Sequence, residues 1–246
     1  MAFPLFLPIL TISSLLMIPT AFSDYYINAM CSLDSPNKPT PPFKANVDSL
    51  LANLHNNTPS HGGFWNASSG QVPDQVYGLS LCRVGVSNAD CWYCISLARE
   101  IITAVCKYKQ AAITWFDHCY LKYSSNLNSV GHIDTEFSYV TESEGIARQS
   151  GKYNVKALEL LSSLSRNAAE ATNKLFASGE VSEPVENVMI YGVALCSRDL
   201  SKNDCKSCLD GAVGQFRESF DNGKVGAGYF SGSCIIRYAN STILDS

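Results

Sequence analysis

With 18 Lys and Arg against 22 Asp and Glu in 246 residues, the chain carries a formal net charge of -4 and no basic block. That balance excludes nucleic acid as a ligand, which needs clustered Lys and Arg, and a cationic face that would lyse anionic membranes. Ten cysteines, an even number, place the chain in an oxidising compartment rather than the cytosol.

Residues 1–23 read as a secretory signal: an apolar run from Met1 to Ile18, then Ala21-Phe22-Ser23 with small residues at the alternate positions that a signal peptidase needs. The mature protein is expected to begin at Asp24. Three acceptors for N-linked sugar, Asn56, Asn66 and Asn240, fit the same route. No later stretch approaches the roughly 20 apolar residues that span a bilayer, and the chain stops soon after Tyr238 without a lipid-anchor tail. The expected product is soluble, secreted into the extracellular cell-wall space (the apoplast), and not inserted in a membrane.

The first module is expected over residues 24–125. Val47, Leu50, Leu51 and Leu54 form one apolar stripe of a helix. Residues 76–82 alternate as a half-buried strand, with Tyr77, Leu79 and Leu81 on one face. Ser87-x-x-Asp90 then opens a second helix, because a short oxygen side chain satisfies its first backbone N–H groups. That helix runs to about Cys106, with Cys94, Leu97, Ala98, Ile101 and Val105 as its expected apolar face. A closing strand follows from Cys119. Residues 126–135, in a stretch rich in Ser, Asn and Gly, are read as a linker.

The second module, residues 136–242, says the same thing again. Ala157, Leu160, Leu161 and Leu164 repeat the helix stripe, Ser201-x-x-Asp204 repeats the helix start, and the second helix is expected to reach Phe220. Cys82, Cys91 and Cys94 are spaced C-x8-C-x2-C, and Cys196, Cys205 and Cys208 repeat that spacing at an offset of 114 residues. The closing strand Cys119-Tyr120-Leu121-Lys122-Tyr123 returns as Cys234-Ile235-Ile236-Arg237-Tyr238. Adjacent Ile235 and Ile236 point to opposite faces, so one face serves the module's own core and the other needs a neighbour. With Tyr120 and Leu121 at the matching positions, a pseudo-symmetric contact makes the modules one rigid unit.

Comparison of the repeats also constrains the cross-links. The second module lacks counterparts of Cys31 and of Cys106, where Phe220 stands. Two cysteines lost together leave an even number when they were partners, so Cys31 pairs with Cys106. The remaining four per module allow three pairings. A bond between Cys91 and Cys94 inside one helix turn would be a strained redox bridge, and Cys82, Cys91, Cys94 and Cys119 would also suit zinc. The compartment favours structural disulfides over both.

The pattern Y-G-x-x-L-C-x8-C-x2-C with a downstream closing Cys, at Tyr77–Cys94 and Tyr191–Cys208, resembles the ginkbilobin-homologous, or stress-antifungal, domain of plants. Two tandem copies resemble the cysteine-rich repeat secretory proteins, whose relatives include membrane-anchored receptors. The resemblance implies an α+β fold in which each module packs two helices on a five-stranded antiparallel sheet. It implies the pairs Cys31–Cys106, Cys82–Cys91, Cys94–Cys119, Cys196–Cys205 and Cys208–Cys234. The family's founding member binds mannose through an Asn, an Arg and a Glu. The corresponding places here hold Ser32, Ile113 and Ser124, and in the second module Gly228 and Ala239 for the last two. Because Ile113 neither donates nor accepts a hydrogen bond, no carbohydrate-binding residue is assigned.

Catalysis finds no support in the residues. His55, His61, His118 and His132 are scattered and read as satisfied or exposed, no G-x-S-x-G elbow or P-loop pattern occurs, and Glu142 and Glu144 read as solvated charges. Phe64, Trp65, Trp92 and Trp115 read as packing residues. The expectation is a secreted binding protein without catalytic residue, metal or cofactor, acting in plant defence or stress signalling. Its expected partners are an extracellular protein or a cell-wall carbohydrate, with related membrane-anchored receptors as further associates and no nucleic acid. The alternative is an antifungal lectin using a site other than the mannose triad. A redox enzyme is a third class, recognisable by reactive native thiols.

Overall fold

Both modules start their second helix with the same local device. Ser87 Oγ accepts from the Asp90 amide at 3.1 Å and donates to the Asp90 carboxylate at 2.6 Å. Ser201 and Asp204 do the same at 3.1 and 2.7 Å. Each pair neutralises an orphan N–H and puts a negative charge at the positive end of the helix dipole. The computed structural model describes residues 26–33, 39–171, 174–184, 187–219 and 223–243, so the expected signal segment and Phe220 lie outside the described residues.

In chain order the first module is β1 (Tyr26–Cys31), α1 (Pro41–Asn57), β2 (Phe64–Ser69), β3 (Val76–Cys82), α2 (Asn88–Cys106), β4 (Ala111–Phe116) and β5 (Cys119–Ser124). The second repeats it as β6 (Ser138–Glu142), α3 (Ser150–Glu170), β7 (Phe176–Glu183), β8 (Val188–Cys196), α4 (Lys202–Ser219), β9 (Gly226–Ser231) and β10 (Cys234–Ala239). The sheets have strand orders β1-β4-β5-β3-β2 and β6-β9-β10-β8-β7, antiparallel throughout. This is the α+β architecture that the resemblance implies. The apolar face of α2 is rotated from the expected one. Cys91, Cys94, Ile95, Ala98, Ile102 and Cys106 are buried, Leu97 and Ile101 lie at the flank, and Val105 is 52% exposed. Three cysteine bridges, rather than hydrophobicity alone, turn that helix, because the sulfur atoms of Cys91, Cys94 and Cys106 must face their partners.

Each sheet lays one face on its own helices. Leu50, Leu51 and Leu54 of α1 meet Ile95, Ala98 and Ile102 of α2 over Ala112, Leu121 and Tyr123. Leu160, Leu161 and Leu164 of α3 meet Leu209, Val213 and Phe216 of α4 over Ile236 and Tyr238. The opposite faces form a third core shared by both sheets. Leu79, Leu81, Ile113, Trp115 and Tyr120 of the first module pack with Leu195, Phe230 and Ile235 of the second. Thus Tyr120 and Leu121, like Ile235 and Ile236, serve different cores. Trp115 is fully buried and its Nε1 donates to the Ser231 carbonyl at 3.1 Å. Burial pushes the Tyr120 phenol far above its usual range, against the opposing effect of the Ser197 hydroxyl.

Residues 126–135 are pinned rather than loose. Leu127–Ser129 form a 3-10 turn. Lys122 Nζ, in β5, donates to the Ser129 carbonyl at 2.6 Å and to Asp134 Oδ2 at 2.8 Å, both side chains being almost wholly buried. The Asp134 amide donates to Ser233 Oγ at 2.7 Å, and the Gly131 amide to Asp199 Oδ2 at 2.6 Å. Arg237, the repeat-equivalent of Lys122, meets Asp117 in the β4–β5 turn, with Arg83 Nη2 4.0 Å from the same carboxylate. Each closing-strand cation therefore reaches the zone between the modules. Opposite Lys122 the β9–β10 turn carries Gly232, where a Cβ would lie 2.5 Å from Asp134 Oδ2 and 3.1 Å from Lys122 Nζ.

Two outcomes follow for stability. Replacing Lys122 by Met is expected to cost about 3–5 kcal/mol in urea denaturation, because it leaves Asp134 buried without its countercharge. Gly211 and Gly214 lie within α4, and a Cβ at either would meet nothing within 4 Å. Gly211→Ala and Gly214→Ala should each stabilise by about 0.5–1 kcal/mol, read as a rise in thermal midpoint.

Candidate functional site

The three positions at which the resemblance places a mannose triad are taken up by the fold itself. Ser32 is tied to Ala111, its amide donating to the Ala111 carbonyl at 2.9 Å and its Oγ accepting from the Ala111 amide at 3.1 Å. Ile113 has no exposed surface and lies in the core shared by the two sheets. Ser124 is buried, and its Oγ accepts from the Asn126 amide at 3.0 Å. In the second module, a side chain at Gly228 would collide with the Phe230 ring at 2.6 Å.

Beside these positions the fold builds a polar groove of about 440 Å³. One wall is Gln110, Ala111 and Ser124–Asn126, where β4 begins and β5 ends; the other is Asn128, Ser129 and Ile133–Glu136 of the segment between the modules. The buried Lys122–Asp134 pair and the Ser129 carbonyl stiffen that second wall. Asn126 Oδ1 accepts from the Asn128 amide at 3.0 Å, which fixes the turn that presents both side chains. With Asp134 paired to Lys122, the groove offers amides, hydroxyls and one carboxylate, Glu136, whose amide donates to Asp134 Oδ1 at 3.0 Å. Partial desolvation and the neighbouring Asp134 carboxylate raise the Glu136 pKa above its ordinary value, against the pull of Lys122. Such a set has the chemistry to hydrogen-bond a ligand with many hydroxyls and supplies no activated nucleophile.

The other candidates disperse. His55 is buried and stacks on Trp92 at 4.7 Å, whereas His61 stacks on Trp65 at 4.3 Å and bonds the Asn57 carbonyl through Nδ1 at 2.8 Å. His118 lies in the β4–β5 turn and His132 between the modules. Among the described residues no group of three or more His, Cys, Asp or Glu side chains could hold a metal ion. Phe64 and Trp65 flank the cores, and Trp65 Nε1 donates to Asn53 Oδ1 at 2.8 Å. Trp92, expected as a packing residue, is 50% exposed because it caps the His55 ring from outside the helix pair. Glu142 Oε2 lies 3.9 Å from Lys224 Nζ. The cysteines form the five pairs Cys31–Cys106, Cys82–Cys91, Cys94–Cys119, Cys196–Cys205 and Cys208–Cys234, with no free thiol. The acceptors Asn56, Asn66 and Asn240 are all exposed.

A family model described as salt stress response/antifungal matches residues 30–126 and 140–241, one copy per module. The chain belongs to that family. It is 37% identical over 204 residues to an antimicrobial ginkbilobin-2-like protein of Castanea crenata, covering 83% of each chain. Against cysteine-rich repeat secretory protein 38 of Arabidopsis thaliana it is 35% identical over 197 residues, covering 80% of this chain and 76% of the relative. The tandem DUF26 ectodomain of the Arabidopsis thaliana cysteine-rich receptor-like protein PDLP8 superposes with a TM-score of 0.76 at 27% identity, over 89% of this chain and 100% of that one. Cysteine-rich receptor-like protein kinase 34 of the same plant is 30% identical over 212 residues, which are 31% of the kinase. These relatives include a secretory protein, a receptor-like ectodomain and a receptor-like kinase, and no helix among the described residues of this chain is long and apolar enough to cross a membrane.

The groove residues Gln110, Ser125, Asn128, Thr135 and Glu136 were not legible as a site, since in the sequence Ser125, Asn128 and Thr135 are only a polar boundary and Gln110 and Glu136 belong to no motif. The raised Glu136 carboxyl makes a pH signature. Its folded pKa exceeds the unfolded one, so it stabilises the fold below the ordinary carboxylate range and loses that contribution as pH rises through the raised value. Chemical denaturation should therefore show Glu136→Gln gaining stability relative to the parent as pH rises from the ordinary carboxylate range, about 4, through the raised value.

Proposed function

We propose that the chain is a secreted, non-catalytic binding protein of plant defence or stress signalling, and that it engages a hydroxyl-rich cell-wall carbohydrate in the groove between Gln110 and Glu136. The observation that carries this reading is the groove's chemistry: amides, hydroxyls and a single carboxylate converge there on a stiffened frame. The secretory and antimicrobial names of the relatives support the extracellular, defensive setting. Mannose binding through the triad positions is not part of the proposal, because Ile113 is sealed between the sheets. A second reading, recognition of an extracellular protein such as a membrane-anchored relative, draws on the likeness to receptor ectodomains.

A glycan array followed by calorimetry tests the first reading. A cell-wall oligosaccharide should bind with micromolar to submillimolar Kd, and mannose no better than about 1 mM, or about -4 kcal/mol. Glu136→Gln should weaken the binding by about 1.5–3 kcal/mol, the worth of a hydrogen bond to a charged group, and Asn128→Ala by about 1 kcal/mol. Binding that survives both changes, or an array without any hit, rejects the groove and leaves the protein-binding reading.

A further inference from the structure

A second groove, of about 460 Å³, runs along the outer seam of α3 and α4, lined by Val155, Leu158, Glu159, Ser162, Arg166 and Arg217. Val155, Leu158, Ser162 and Arg166 recur at helical spacing, so they form one stripe on α3 about 16 Å long at roughly 1.5 Å per residue. Val155, 54% exposed, and Leu158 make its apolar end. Arg217 enters from α4 at mid-length, its Nη2 donating to Ser162 Oγ at 3.5 Å, and Arg166 closes the far end.

The charges do not cancel. Glu159 is held by Lys156 at 2.8 Å, and Asp210, near Arg166, is bonded by Lys206 and by Ser165 Oγ. Among the described residues neither Arg166 nor Arg217 forms an ion pair. The groove therefore presents two guanidinium groups, each a planar fork suited to a carboxylate. Nor is it a by-product of the fold. At the equivalent places in the first module, Leu158 is Asp48, bonded to the Tyr108 hydroxyl at 3.0 Å, Arg166 is Asn56 and Arg217 is Thr103. The duplicated architecture is the same, yet only the second module carries the basic and apolar stripe.

We infer that the α3–α4 groove of the second module binds an acidic peptide segment of a partner protein, with an apolar side chain against Val155 and Leu158 and carboxylates on Arg217 and Arg166. A polyuronate would call for cations repeated along the groove, whereas here an apolar patch fills one end, which favours a peptide. This site is separate from the polar groove of the first module, so failure of either leaves the other standing.

The test is to pan a random dodecapeptide display library on the intact secreted protein. Enriched peptides should combine Asp or Glu with a nearby Leu, Ile or Phe. A synthetic representative should bind the parent protein and lose about tenfold or more in affinity on Arg166→Gln/Arg217→Gln, with the thermal transition unchanged. Leu158→Ser should weaken it too, and Arg99→Gln in the first module should not. Three outcomes overturn the inference: no enrichment of acidic peptides, binding that persists on the double arginine variant, or displacement of the peptide by trigalacturonate at lower concentration than by the free peptide itself.

Discussion

The packing of one antiparallel sheet face against the other is the constraint on which the rest of the structure depends. A sheet with helices on one side only can leave its second face to solvent if that face is polar. Here it carries Leu79, Leu81, Ile113, Trp115 and Tyr120, and the second module brings Leu195, Phe230 and Ile235 to cover them. A fully buried large apolar side chain contributes about 1.5–3 kcal/mol, so neither module would keep this face exposed without a severe cost. These sheet faces are thereby closed to any ligand, which leaves the rims and the helices as the accessible surface.

Much of the fold could be read from the chain because duplication tests each assignment twice. The stripes at Val47–Leu54 and Ala157–Leu164, the serine starts at Ser87 and Ser201, and the alternation through Tyr77–Cys82 are strong local signals, and each became the expected element. The edge strands β1, β2, β6 and β7 were not legible from periodicity. Their residues are half-exposed and mixed in character, and their pairing is set by tertiary partners. The face of α2 was misjudged for a similar reason: Val105 fits an apolar helix stripe, but the cysteine bridges decide which way the helix turns. The opposite orientations of Ile235 and Ile236 did foretell the shared core, since period two in a strand leaves no other use for adjacent isoleucines.

The candidate site was far less legible. Residues 126–135 have the composition of a tether, and only the structure reveals that Lys122 and Asp134 fasten them. A buried cation in a closing strand leaves no trace in periodicity, because Lys122 occupies the face on which its repeat-equivalent Arg237 is only partly buried. Gly232 is a comparable case. Nothing about a glycine in a turn says that a carboxylate and an ammonium occupy the space where its Cβ would be.

The shared core also has a consequence in time. The chain is made from its N-terminus, so β4 and β5 are complete while the strands that will cover Trp115 and Tyr120 are still unsynthesised. Up to β10 the ribosome must add more than a hundred residues, which takes on the order of 10 s at about 5–20 residues per second. Throughout that interval the nascent first module displays an indole and a row of aliphatic side chains, with Lys122 already in place and the chain carrying its countercharge only just behind it. Chaperones would meet the protein as a half-finished sandwich, and any error that delays the second module prolongs the most adhesive state through which the chain passes.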